Sequence, residues 1–181
     1  MANPLYFQLE VALTDDTIMV DPASHEDFYF DAGSRFDVEV IEPIEFVVDE
    51  GIGGDTWPTA LLPQPLFRRE FLDHLRQLGV SNLDDYAARI VEVSTGREQL
   101  EYRAVNIVGT IECADLALST FNRFDDLYQF DRLVIDPIRA GGALMFRLAE
   151  NTEIIVVSKV VAAKIDLSLF TDLVLIPLDS P

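Results

Sequence analysis

Residues 144–158 read Leu-Met-Phe-Arg-Leu-Ala-Glu-Asn-Thr-Glu-Ile-Ile-Val-Val-Ser. Two short apolar runs, 144–148 and 154–157, flank the turn residues Asn151-Thr152, the pattern of two consecutive strands. The same signal recurs on both sides. Leu133-Val-Ile135 precedes them across Gly141-Gly142, and Leu173-Val-Leu-Ile176 follows. Ser158 stands where it can cap a helix running to about Leu167.

Toward the N-terminus the period is two. Leu5, Phe7, Leu9, Val11 and Leu13 share one face while Gln8 and Glu10 take the other, which marks a half-buried strand. A turn at Asp15-Asp16 leads to Thr17-Ile-Met-Val20 as a hairpin partner. Phe28-Tyr-Phe30 and Phe36, Val38 and Val40 repeat the alternation, with Asp37, Glu39 and Glu42 outward. Gly51-Ile-Gly-Gly-Asp-Thr-Trp57, followed by Pro58, Pro63 and Pro65, reads as a connector.

Pro65 opens a run in which Phe67, Phe71, Leu75 and Leu78 step by helical spacing, with Leu72 beside them and Gly79 as the stop. Beyond it, Ser81-Asn-Leu-Asp-Asp85 is turn chemistry. Residues 89–93 read as a strand reversing at Ser94-Thr-Gly96, residues 102–111 as a longer strand, and residues 113–126 as a loop with a helical turn. Strands clustered at both ends with few helices give an α+β class, mainly antiparallel, with two or three helices. The chain divides by composition into an acidic β-rich region, 1–63, and a remainder, 64–181, within one compact domain.

Charge separates those regions. The whole chain of 181 residues carries 13 Lys and Arg against 32 Asp and Glu, a net −19. Residues 1–63 hold 14 acids and one base, Arg35, for −13, and the rest hold 18 acids and 12 bases, for −6. Binding nucleic acid by phosphate neutralisation is excluded by that balance. The acidity serves either steering toward a basic partner or solubility and salt adaptation. No uncharged stretch reaches the roughly 20 apolar residues of a spanning helix, and the N-terminus has no secretory pattern, so the expectation is a cytoplasmic protein without membrane contact.

Candidate chemistry is sparse. His25-Glu26-Asp27 are consecutive, so in an extended segment they point to opposite faces, and His74 falls on the exposed flank of the helix. Gly51-Ile-Gly-Gly54 lies among Asp49, Glu50 and Asp55, the wrong charge for a phosphate cradle. Cys113, the single cysteine, reads as a buried small hydrophobe. No Gly-x-Ser-x-Gly setting surrounds Ser119, Ser158 or Ser168. We therefore assign no catalytic, cofactor-binding or metal-ligating residue. With 32 acids, a small carboxylate- or metal-dependent hydrolase is the alternative reading.

The succession Tyr102-Arg-Ala-Val-Asn-Ile-Val-Gly109, Phe130-Asp-Arg-Leu-Val-Ile-Asp136, Leu144-Met-Phe-Arg-Leu-Ala-Glu150 and Ile154-Ile-Val-Val-Ser158 resembles the eleventh immunity family of bacterial polymorphic-toxin systems, formerly a domain of unknown function. Leu75-Arg-Gln-Leu-Gly-Val-Ser-Asn-Leu-Asp-Asp-Tyr86 is similar to the segment that precedes these strands there. The resemblance spans residues 60–178. It implies an α+β cytoplasmic protein that binds the toxin encoded beside it, blocks it in the producing cell and performs no catalysis. Val105, Asn106, Leu133, Phe146 and Val156 are then fold determinants.

The expected partner is a basic protein toxin. Its expected contacts are Asp15, Asp16, Glu26, Asp27 and Asp55 for steering, with Trp57 as an aromatic anchor in the connector; the other role open to Trp57 is a core residue.

Overall fold

The computed structural model describes residues 4–12, 21–22, 30, 32–48, 57–62, 65–125 and 127–181. Its first strands are β1 (Tyr6–Val11), β2 (Asp21–Pro22), β3 (Ile44–Val48), β4 (Ala60–Leu61) and β5 (Leu66–Arg68). Helix α1 (Arg69–Gln77) follows, then β6 (Leu83–Glu92), β7 (Glu98–Gln99), β8 (Tyr102–Ile107) and β9 (Thr110–Ile111). The last elements are β10 (Thr120–Phe124), β11 (Leu127–Arg132), β12 (Met145–Leu148), β13 (Asn151–Ser158), α2 (Lys159–Ala162) and β14 (Leu173–Pro177).

The strands form a five-stranded sheet in the order β14-β1-β13-β12-β9, a seven-stranded sheet ordered β2-β3-β6-β8-β5-β4 with β7 on β6, and the separate hairpin β10-β11. The fold is α+β and mostly sheet. The antiparallel expectation needs two exceptions, since β3 runs parallel to β6 and β9 parallel to β12. Two helices are present among the described residues, of nine and four residues.

Why the sheets stack follows from side-chain alternation. In β13, Ile155 and Val157 face one way and Val156 the other. The first pair joins Leu9, Leu173, Val105, Ile107, Phe67 and α1 in a core between the two sheets. Val156, Phe146, Tyr6 and Leu178 form a second core on the outer face of the five-stranded sheet, under residues 113–143. A third core, with Phe46, Ile90, Tyr102 and Trp57, lies on the far face of the seven-stranded sheet. Each fully buried aliphatic or aromatic side chain contributes about 1.5–3 kcal/mol relative to leaving it in water.

Helix α1 meets its expected face, with Phe71, Leu72 and Leu75 buried and Leu78 packed part-buried against the same core. Its end is a two-bond glycine cap. Gly79, at φ +92°, donates to the Arg76 carbonyl at 3.0 Å, and Val80 donates to that of Leu75 at 3.1 Å. Its start differs from the expectation. Phe67 is a strand residue opposite Arg103 in the β5-β8 ladder, so Pro65 opens a strand and the helix begins at Arg69. Long-range pairing there outweighs local helical spacing.

Other boundaries are corrected on the same grounds. Leu83, Asp84 and Asp85 belong to β6, where they pair with Ile107, Asn106 and Val105 rather than turning. Residues 36–40 are not a strand. Asn106 donates to the Ser34 carbonyl at 2.7 Å and Gly109 to that of Gly33 at 2.7 Å, which ties the neighbouring segment across the end of the sheet. Residues 133–135 make isolated bridges to Ala114 and Asp179. The helix after Ser158 is a single turn, and the Ser158 hydroxyl, buried, caps nothing. The strand readings at 17–20 and 28–29 and most of the connector lie outside the described residues.

Strands before residue 63 pair with strands after it: β1 lies hydrogen-bonded between β13 and β14, and β3 lies on β6.

Candidate partner-binding surface

Trp57 is 3% exposed, with its ring centroid 5.9 Å from that of Tyr102 and its carbonyl accepting from Arg68 at 2.6 Å. That is the core role. A ring packed under β8 presents no surface to a partner, so its assignment as an anchor is withdrawn. Asp15, Asp16, Glu26, Asp27 and Asp55 lie outside the described residues.

The reactive groups that remain are built into the fold. Cys113 is fully buried; burial, with the Glu150 carboxylate nearby, pushes its thiol up to about 12, against the opposing charge of Arg139. At neutral pH it is a thiol, not a thiolate. Glu150 itself accepts from the Ala114 amide at 2.9 Å. His74 is part-covered, against the Phe170 ring at 5.5 Å and within 3.2 Å of the Lys164 carbonyl. Among the described residues no three His, Cys, Asp or Glu side chains are grouped to hold a metal ion.

Bases are matched by acids within the chain. Asp85 is held by Arg76 and by Arg103, the latter at 2.5 Å. Arg89 bridges Glu45, at 2.5 Å, and Glu98. Arg132 meets Asp179 at 2.8 Å and Arg139 meets Asp136 at 3.0 Å. The chain as a whole carries 32 acids against 13 bases, so pairing each of these bases with an acid leaves acids in excess.

A pair of strands follows where the sequence suggests none. β10 and β11, within Thr-Phe-Asn-Arg-Phe-Asp-Asp-Leu-Tyr-Gln-Phe-Asp-Arg (residues 120–132), pair as a hairpin, and β10 falls in the 113–126 stretch expected to be a loop with a helical turn. Tyr128 and Phe130 alternate after Asp125-Asp126, but Phe121 and Phe124 before it stand three apart; Asp125 takes φ +54° at the turn. One face stacks Tyr128 on Phe130 at 6.0 Å, with Phe121 edge-on at 5.1 Å to Tyr128 and the Arg123 guanidinium 5.2 Å over the Tyr128 ring. On the other face Phe124 and Leu127 pair at the tip, 61% and 44% exposed.

A two-stranded hairpin is marginal alone in water, and this one is braced along β11. Asn151 donates to the carbonyl of Tyr128, next to the tip, at 2.9 Å, Tyr128 donates to that of Glu150 at 3.3 Å, and the Arg132–Asp179 pair ties down the base. Between β11 and the outer face of the five-stranded sheet runs a groove of about 450 Å³, lined by Gln8, Glu10, Phe130, Asp131, Ile154 and Ile176 among others.

No protein-family model matches the chain, and a search of curated proteins finds no match. Among the described residues no helix is long and apolar enough to cross a membrane.

Proposed function

We propose that this chain is an immunity protein that binds a cognate, basic bacterial toxin and neutralises it in the cytoplasm by occlusion, without catalysis. The observation that carries the reading is the β10-β11 hairpin, which holds Phe124 and Leu127 out in solvent on a chain of net charge −19. Exposed apolar side chains gathered on one braced element mark protein contact surfaces, and a surplus of unpaired acid selects a basic partner.

The resemblance to the eleventh immunity family supports the same reading. Three of its quoted segments overlap β8, β12 and β13, while Phe130–Asp136 holds the end of β11 and the isolated bridges beyond it; Val105, Phe146 and Val156 are fully buried. Asn106, also fully buried, bonds the Ser34 carbonyl from β8.

The test is co-expression with the neighbouring gene. Growth should be arrested by that gene product alone and restored by this chain, with the two proteins eluting as one complex. Phe124→Asp with Leu127→Asp should abolish rescue while the variant remains folded. Rescue by that double variant at wild-type level would remove the hairpin from the interface, and failure of the wild-type chain to rescue would remove the immunity reading.

A further inference from the structure

We infer that the groove between β11 and the outer face of the five-stranded sheet docks an extended segment of a partner protein that carries both basic and apolar residues. The inference rests on the reading above for the origin of that segment. Its chemistry comes from the groove alone.

Among the described residues, the outer face of the five-stranded sheet is covered unevenly. At one end Tyr6, Phe146, Val156 and Leu178 are sealed beneath residues 113–143. At the other, Ile154 is part-buried and Ile176 is 37% exposed, in β13 and in the outermost strand β14. These two side chains and Phe130 give the groove an apolar part, and two acids, Glu10 and Asp131, line it beside them. Arg132 is the base lining the groove, and Asp179 already pairs with it. Glu10 and Asp131 have no basic partner among the described residues, and Glu10 accepts only from the neutral Gln8 amide, at 2.7 Å.

That combination selects its occupant. A wholly apolar segment would strip water from Glu10 and Asp131 without replacing it, which is costly for a charge. An acidic segment is repelled, and so is a second copy of a chain carrying −19. Gln8 lies opposite Ile176 in the β1-β14 ladder, so Glu10, two residues on, projects from the same face of the sheet as Ile176. An extended segment laid on that face therefore needs apolar side chains for Ile154 and Ile176 and Lys or Arg for Glu10 and Asp131.

Panning a phage-displayed library of random dodecapeptides against the full chain tests this, followed by anisotropy titration of the fluorescein-labelled consensus peptide. We expect a consensus that combines basic with apolar residues, and amide shifts on binding centred on Gln8, Ile154 and Ile176. Glu10→Gln with Asp131→Asn should weaken it roughly fivefold or more at low salt, while Glu70→Gln with Asp73→Asn on α1 leaves it unchanged. No enrichment, an uncharged or acidic consensus, equal binding by both variants, or shifts elsewhere would overturn the inference. The toxin is absent from this assay, so a failure here leaves the neutralisation reading standing, and a failure of neutralisation leaves the groove result standing.

Discussion

Leu75→Ala tests the packing that positions everything else. Leu75 is fully buried on α1, in the core between the sheets that also holds Phe71, Val161, Ile165 and Phe170. The substitution removes about three methylene equivalents at ~0.8 kcal/mol each, or roughly 2.4 kcal/mol of transfer free energy. Sheets on both sides limit collapse into the space, so a cavity contribution brings the loss to about 3–4 kcal/mol, inside the range of about 2–5 for buried Leu→Ala changes. For a chain of this size each kcal/mol lowers Tm by roughly 2–4 °C, so the variant should melt some 6–16 °C below the parent. The single Trp57, buried in a different core, reports unfolding by fluorescence, and far-UV circular dichroism supplies a second probe. Leu78→Ala, part-buried, should cost about half as much or less. A Leu75→Ala variant that melts within about 2 °C of the parent would refute the helix facing and the two-sheet core built around it.

Asp85 gives a pH signature. Burial opposes its ionisation, yet the hydrogen bonds from Arg76 and Arg103 hold its carboxyl below the usual carboxylate range. Its stabilising contribution is therefore complete above the unfolded pKa of about 3.9 and is lost as pH falls through the lower folded value. Urea midpoints of Asp85→Asn should sit below those of the parent at pH 6 and converge with them in strong acid; parallel curves would exclude the ion-pair origin. Cys113 should resist a thiol reagent at pH 8 in the native protein and react fully on unfolding, and rapid native labelling would contradict its burial. Replacing Asp15, Asp16, Glu26 and Asp27 by Asn or Gln should slow toxin association at low salt and reduce its salt dependence, with dissociation unchanged. Steering of this kind is worth roughly 10- to 1,000-fold in rate. An unchanged association rate would return the acidity to solubility or salt adaptation.

Period-two and period-3.6 patterns were legible where a segment's own burial alternates. Leu9 in β1 and Phe71 and Leu75 in α1 face the core as their spacing implied, whereas the continuous run at 154–157 did not say which of its residues would. What the pattern could not carry was pairing across long sequence distances. β1 finds its neighbours in β13 and β14, more than 140 residues on, and Asp84-Asp85, turn residues by type, are held in β6 by β8 and by Arg76 and Arg103. Ile44–Val48, overlooked as a strand, carries two acids close before it and becomes β3 through its parallel ladder with β6. For the contact surface, Trp57 was read from residue type alone, and its ring went to the core. The hairpin at residues 120–132 was obscured by its mixture of charged and aromatic residues, which suits a strand pair exposed on both faces better than a half-buried one.

The central claim is neutralisation by stoichiometric binding. Its most direct measurement is a titration of the neighbouring gene product's toxic activity against purified chain, at a toxin concentration far above the dissociation constant. The account predicts a linear loss of activity ending at one equivalent, with chemically intact toxin recovered in active form once the two are separated. Progressive inactivation of excess toxin by sub-stoichiometric chain, or a covalently altered toxin, would contradict it and make this protein an enzyme.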